Sequence, residues 1–218
     1  RIGIGMATDI DRIELAVARP TAPDRGSVEK AVHESFARGV ELAQAGQLDE
    51  AVAAFEEILE SYPGIVEVHR NLGSLHVRQK DWARAEASFL AALELQPGNP
   101  DYLAALVQIY QESGQEEKAR EWITRAAREN PEDGTAQFNR GIALLKEGRN
   151  EEAVAAFEAS AAADPPVSEA HYYLGTLLIN QGKAAEAREH LEVYVASEPA
   201  NTQNLATAQG LLEALEPQ

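Results

Sequence analysis

Along most of this chain the apolar positions return at a fixed interval. Ala51 is followed by Phe55 and then Pro63, and the same trio stands 34 residues on as Ala85, Phe89 and Pro97. Further steps of 34 give Ala119, Ile123 and Pro131, then Ala153, Phe157 and Pro165, then Ala187, Leu191 and Pro199. Five copies without insertion or deletion mark an internal repeat, and a period of this length predicts a pair of helices repeated in a stack. A small and a bulky residue four apart share one helix face, and proline ends the helix because it lacks an N–H and crowds the preceding turn.

The preceding helix of each unit has its own markers. Gly39, Gly73, Val107, Gly141 and Gly175 stand at one register, followed three residues later by Leu42, His76, Tyr110, Leu144 and Leu178. A glycine inside a helix costs up to about 1 kcal/mol against alanine. Its recurrence therefore predicts that the partner helix approaches closely there. Gly46, Gly114, Gly148 and Gly182 fall where the turn between the two helices needs left-handed dihedrals, and the second unit has Lys80 instead. Residues Asn201 to Leu215 match only the first helix, with Leu205, Ala208 and Leu212 at the expected offsets. A lone helix covering the last apolar flank is what a finite stack requires, so the array is expected to end naturally here.

Residues 1–26 lie outside the period and read as an N-terminal arm and linker. Ile2, Ile4 and Met6 alternate with glycines, and Ile13, Leu15 and Val17 alternate with Glu14 and Ala16, as in a half-buried strand. Ile10, Ile13 and Val17 also share a helical face, and the extended reading is preferred. Pro20, Pro23 and Asp24-Arg25-Gly26 read as linker, and Ser27 as the N-cap of the first repeat helix. The expected domains are thus the arm at 1–26, five repeats over 27–200 and a capping helix at 201–218.

These markers resemble the tetratricopeptide repeat family. Its Leu-Gly…Tyr…Ala…Phe…Pro pattern stands here as Leu72, Gly73, His76, Ala85, Phe89 and Pro97, and again as Leu174, Gly175, Leu178, Ala187, Leu191 and Pro199. The resemblance covers roughly residues 30–200 plus the terminal helix. It implies an all-α, right-handed superhelix of five helix pairs with a C-terminal cap. Departures are Val107 for glycine, and Arg38 and Arg140 where the family has leucine; they imply looser packing at single joints.

The family mostly binds proteins or peptides in a concave groove. Its groove-facing positions project onto His33, Phe36, Val40 and Gln44 in the first repeat, and onto Arg70, Asn71, Ser74 and Arg78 in the second. They continue as Ala104, Gln108 and Gln111, then Phe138, Asn139, Ile142 and Lys146, then Tyr172, Tyr173, Thr176 and Asn180. Aromatic residues and arginine dominate binding hot spots. An extended segment with apolar side chains and one or more acids would suit this lining. The competing reading is that Phe36, Phe138 and Tyr172 pack between helices or lie under the arm. The lysines and asparagines that grip chaperone tails elsewhere in the family are absent: Ser74 follows Arg70, and Ala105 stands where asparagine is wanted.

Charge narrows the partners. With 36 acids against 19 bases the net charge is -17, which opposes nucleic acid and anionic membrane surfaces. No cysteine is present, so thiolate metal sites and disulfides are excluded while the compartment, exported or cytoplasmic, stays open. The chain has no apolar run of the roughly 20 residues that span a bilayer. It begins at Arg1 with no signal-peptide core, as expected for a processed chain or a piece of a longer one.

The five histidines lack ligand spacing, and the acidic pairs Glu56-Glu57, Glu116-Glu117 and Glu151-Glu152 fall at helix starts or outer faces. Gly3-Ile4-Gly5 lacks the third glycine of a nucleotide loop. No catalytic residue, metal or cofactor is expected. The expected function is a non-catalytic scaffold that binds a protein or peptide segment. The alternative is a structural subunit of a larger, cell-envelope-associated complex, joined through the arm by strand addition.

Overall fold

The computed structural model describes residues 25–216. The expected arm lies outside the described residues, except that Arg25 and Gly26 already belong to the first helix. Eleven helices follow in order: α1 (Arg25–Gln44), α2 (Leu48–Ser61), α3 (Val66–Gln79), α4 (Trp82–Leu95), α5 (Pro100–Glu112), α6 (Glu116–Glu129), α7 (Gly134–Lys146), α8 (Asn150–Ala161), α9 (Ser168–Asn180), α10 (Ala184–Ala196) and α11 (Thr202–Ala214). No strand occurs among the described residues. The chain divides into two compact units, Arg1–Trp122 and Ile123–Gln218.

Local chemistry sets the helix ends. Asp81, Asn99, Asp133 and Asn201 each cap a helix by accepting a backbone N–H two or three residues on, and Pro100 occupies the first turn of α5. Such caps are each worth about 1 kcal/mol. Gly46, Gly114, Gly148 and Gly182 all have φ between 74° and 81° in the turns closing the first helix of each pair. Lys80 takes the same left-handed conformation at φ 58° despite its Cβ.

Within the first unit, α1 packs on α2, α2 on α3, α3 on α4 and α4 on α5. Within the second, α7 packs on α8, α8 on α9, α9 on α10 and α10 on α11. The tightest contact repeats. A Cβ built on Gly39 would lie 2.8 Å from the Phe55 ring, one on Gly73 2.6 Å from Phe89, and one on Gly141 2.6 Å from Phe157. In the last pair Gly175 meets Leu191, with the added carbon 2.5 Å from Cγ. The small residue thus makes room for the bulky side chain of the second helix, as its recurrence in sequence predicts. Val107, at that register in the third repeat, is itself buried, and the bulky position of that repeat is Ile123.

The capping helix closes the second unit. Ala208 of α11 is buried with Leu191 and Tyr194 of α10, while Leu211, Leu212 and Leu215 pack around them. Thr202, Gln203, Thr207, Gln209 and Glu213 are exposed on α11.

Two substitutions probe this architecture. Gly73→Ala forces a methyl into the buried Phe89 ring and should lower the unfolding free energy by about 1–3 kcal/mol in a urea titration. Lys80→Gly relieves the left-handed Cβ clash and should raise it by about 0.5–1 kcal/mol. An unchanged midpoint for Gly73→Ala would remove the close approach as a determinant of the fold.

Candidate functional site

The first unit buries part of the surface expected to bind. Phe36 has 0% of its area exposed and meets Phe55 edge-on at 5.4 Å; Val40 has 8% and Asn71 0%. The structure thus places these three expected groove residues in the interior, Phe36 and Asn71 with no exposed surface and Val40 with little. Phe36 and Val40 fill the α1–α2 core. Ser74 is buried too, its hydroxyl donating to the Arg70 carbonyl.

Arg70, Arg78 and Gln108 keep exposed surface. Arg78 Nη1 donates to the Ala43 carbonyl at 3.0 Å, which ties α3 to α1. Gln108 Nε2 donates to Glu112 at 2.8 Å, while its Oε1 is buried without a partner.

In the second unit every projected residue, Phe138, Asn139, Ile142, Lys146, Tyr172, Tyr173 and Thr176, keeps exposed surface. Their rings form a continuous row. Phe138 lies 5.7 Å from both Phe157 and Tyr173, and Tyr173 stacks on Phe157 at 5.1 Å with the planes 9° apart. Tyr172 meets Tyr173 edge-on at 5.3 Å and Tyr194 at 5.4 Å. Phe157 and Tyr194 are buried, so α8 and α10 supply a fixed floor and α7 and α9 present the half-buried rings above it. Burial raises the Tyr173 phenol, helped by Tyr172 beside it. Edge-on and offset ring pairs of this kind add about 0.5–1.5 kcal/mol each beyond area burial. Thr176 Oγ1 donates to the Tyr173 carbonyl at 2.9 Å. Asn139, Lys146 and Asn180 add donors on the same two helices.

Charge is divided between the helices of each pair. In the second unit α7 and α9 carry Arg140 and Lys146 against Glu169. Their partners α8 and α10 carry Glu151, Glu152, Glu158, Glu186, Glu189 and Glu192 against Arg188, which is bonded to Glu192 at 2.8 Å.

Two clusters are absent from the sequence reading. Tyr110 donates to Glu86 at 2.7 Å, stacks on Trp122, and lies under Lys118 Nζ, which is 5.1 Å from the ring centre and 3.7 Å from Glu86. Burial, followed by the Glu86 hydrogen bond, pushes the Tyr110 phenol far above its ordinary range, so it stays protonated and serves as a donor. The second cluster is a contact between His171 of α9 and His190 of α10, with the two Nδ1 atoms 2.9 Å apart. The other described ring contacts are local: His69 meets the Pro63 carbonyl, and buried His76 meets Gln79. Among the described residues no three His, Cys, Asp or Glu side chains gather as a metal would need, and no helix is long and apolar enough to cross a membrane.

Comparison with known proteins places this geometry in context. Tetratricopeptide repeat family models match residues 36–100, 104–168 and 144–215. Superkiller complex protein 3 of Mus musculus is 33% identical over 79 residues, which are 36% of this chain and 5% of that protein. The TPR repeat-containing protein YvcD of Bacillus subtilis is 29% identical over 114 residues, 52% of this chain and 24% of that protein. The matches therefore span a quarter or less of the length of these curated relatives. Among solved structures, YrrB superposes with a TM-score of 0.60 at 24% identity, covering 83% of this chain and 96% of that one. Pseudomonas aeruginosa pilF gives 0.63 at 18% identity, covering 87% and 90%.

The division between core and surface is measurable. Phe36→Ala should lower the unfolding free energy by about 3–5 kcal/mol. Lys146→Ala should shift it by no more than about 0.5 kcal/mol. Equal midpoints in urea would put Phe36 back among the surface residues.

Proposed function

The chain belongs to the tetratricopeptide repeat family, and on that premise we propose that it is a non-catalytic interaction scaffold whose α7–α9 face docks an extended peptide segment of a protein partner. The observation that carries this reading is the row Phe138–Tyr173–Tyr172, half-buried over a buried aromatic floor. Rings held by packing lose little conformational freedom on binding, and their faces accept aliphatic side chains. Asn139, Thr176 and Asn180 supply hydrogen bonds for the peptide backbone. Lys146, for which no carboxylate partner is found among the described residues, meets an acidic side chain. In the first unit Arg70, Arg78 and Gln108 offer polar contacts of the same kind.

The preferred segment combines an apolar anchor with one or more acids. The local charge supports this: acids crowd α8 and α10, while α7 and α9 are close to neutral. An acidic ligand meets less repulsion on the first helices than on the second.

A displayed random peptide library selected on the intact chain tests the reading. Selected peptides should carry an acid beside an aliphatic or aromatic residue. Their affinity, measured by fluorescence polarisation, should fall at least about tenfold on Tyr172→Ala and on Lys146→Glu, an effect of about 1.4 kcal/mol. Both variants should keep the helical circular dichroism of the parent. Peptides indifferent to both changes would refute docking on this face. Binding lost only on deletion of residues 1–24 would favour assembly through the N-terminal arm.

A further inference from the structure

His171 and His190 approach each other in a way that admits only some protonation states. Their Nδ1 atoms are 2.9 Å apart, their ring centres 5.1 Å, and their planes differ by 38°. The centre separation exceeds the nitrogen separation by nearly two ring radii, so the two nitrogens meet head on. That is the geometry of an N–H···N hydrogen bond, with one Nδ1 protonated and the other bare. Two bare nitrogens would set lone pair against lone pair, and two protonated ones would set hydrogen against hydrogen.

The same geometry argues against a shared metal ion. A cation held at about 2.0–2.1 Å from each nitrogen needs both lone pairs to converge on a point off the N···N line. Here they point along it, and no third ligand joins the group among the described residues.

We propose that His171 and His190 share one proton across α9 and α10, and that acidification, by adding protons to the pair, loosens this helix hairpin beneath the aromatic face. At neutral pH the donor ring carries its proton on Nδ1 and the acceptor ring on Nε2. A first added proton goes to the Nε2 of the donor and leaves the bond intact. A second must go to the accepting Nδ1, which abolishes the bond and opposes two imidazolium rings at contact distance.

The surroundings offer little to offset that second charge. On α9 the ionisable neighbours in sequence are Glu169, Tyr172 and Tyr173; on α10 they are Glu186, Glu189, Tyr194 and Arg188, the last already paired with Glu192. The packed helix α8 carries Glu151, Glu152 and Glu158, and α11 carries Glu213. Among the described residues no ion pair is found between either ring and these carboxylates. Burial first, and the charge of His190 second, hold His171 below the ordinary histidine range. Because the folded state gives up this proton more readily, the unfolded chain binds more protons in that window. Stability is therefore full above the ordinary histidine pKa of about 6.5 and is lost as pH falls below it.

The position gives the device a consequence. His171 directly precedes Tyr172 and Tyr173, and Tyr194 stands one helical turn beyond His190. The Tyr172–Tyr194 contact and the histidine bond thus cross the same α9–α10 joint. Separation of this joint disturbs the row of rings, an effect on ligand binding that rests on the docking reading above.

The test needs no ligand. The full chain, with His171→Asn and His190→Asn, is melted at pH 7.5 and 5.5, and amide exchange is followed in α9. Asparagine keeps a hydrogen-bonding group at the Nδ1 position without titrating in this range. On acidification the parent should lose at least about 4 °C more than either variant, and amide protection in α9, corrected for the intrinsic exchange rate at each pH, should fall in the parent alone. Nitrogen chemical shifts at pH 7.5 should show one protonated and one bare Nδ1. Equal pH responses in all three proteins, or two bare Nδ1 atoms, would overturn the proposal. A parent-specific loss together with peptide binding that is absent at both pH values would sustain the histidine pair and refute the docking reading alone.

Discussion

The structure depends on an exchange of volume between the two helices of a pair. Wherever the first helix carries glycine at the recurring register, the second sends a phenylalanine or leucine into the space that a Cβ would occupy. Glycine in a helix interior costs about 1 kcal/mol in propensity, while full burial of a phenylalanine or leucine side chain returns about 1.5–3 kcal/mol. The exchange is favourable only if ring and gap meet, and that fixes the axial register of each hairpin. An inserted residue between them would turn the glycine about 100° around the helix and leave the ring without a seat. The constancy of the 16-residue separation between glycine and bulky residue within each such hairpin follows from this requirement.

That constraint was open to inspection in the sequence because it repeats. Period, turn glycines and closing prolines determine nearly every helix, and the shorter terminal copy anticipates α11 packed on α10. Exposure did not follow from register in the same way. Phe36, Arg70, Phe138 and Tyr172 stand at one register, yet Phe36 is buried against Phe55 while the other three keep surface. What covers a side chain is decided by the sizes of residues on neighbouring helices, and a motif carries no information about them. Asn71 shows the same limit from the polar side, being buried where a groove residue was expected.

Contacts made once were the least legible. His171 and His190 are 19 residues apart and occupy different helices of one hairpin, so neither the repeat nor ligand spacing joins them. Antiparallel pairing brings them together, and only the rotation of both helices aims their nitrogens at each other. The Tyr110–Glu86–Lys118 cluster is similar: Tyr110 stands at a recurring core register, but its polar partners come from two other helices and recur in no other repeat.

The charge pattern links the fold to the proposed docking. The first helices of the five pairs, α1, α3, α5, α7 and α9, carry seven Lys or Arg and seven Asp or Glu. The second helices, α2, α4, α6, α8 and α10, carry six against seventeen. Packing alone does not require this inequality, since both helices of a pair bury one flank and expose another. Its effect is to concentrate the net negative charge on the second helices while the first stay balanced. At physiological ionic strength fields fade within about 8 Å, so the proposed ligand along α7 and α9 would feel nearby Lys146 more than the total of -17. The net charge of the chain is therefore compatible with the acidic segment proposed for this face.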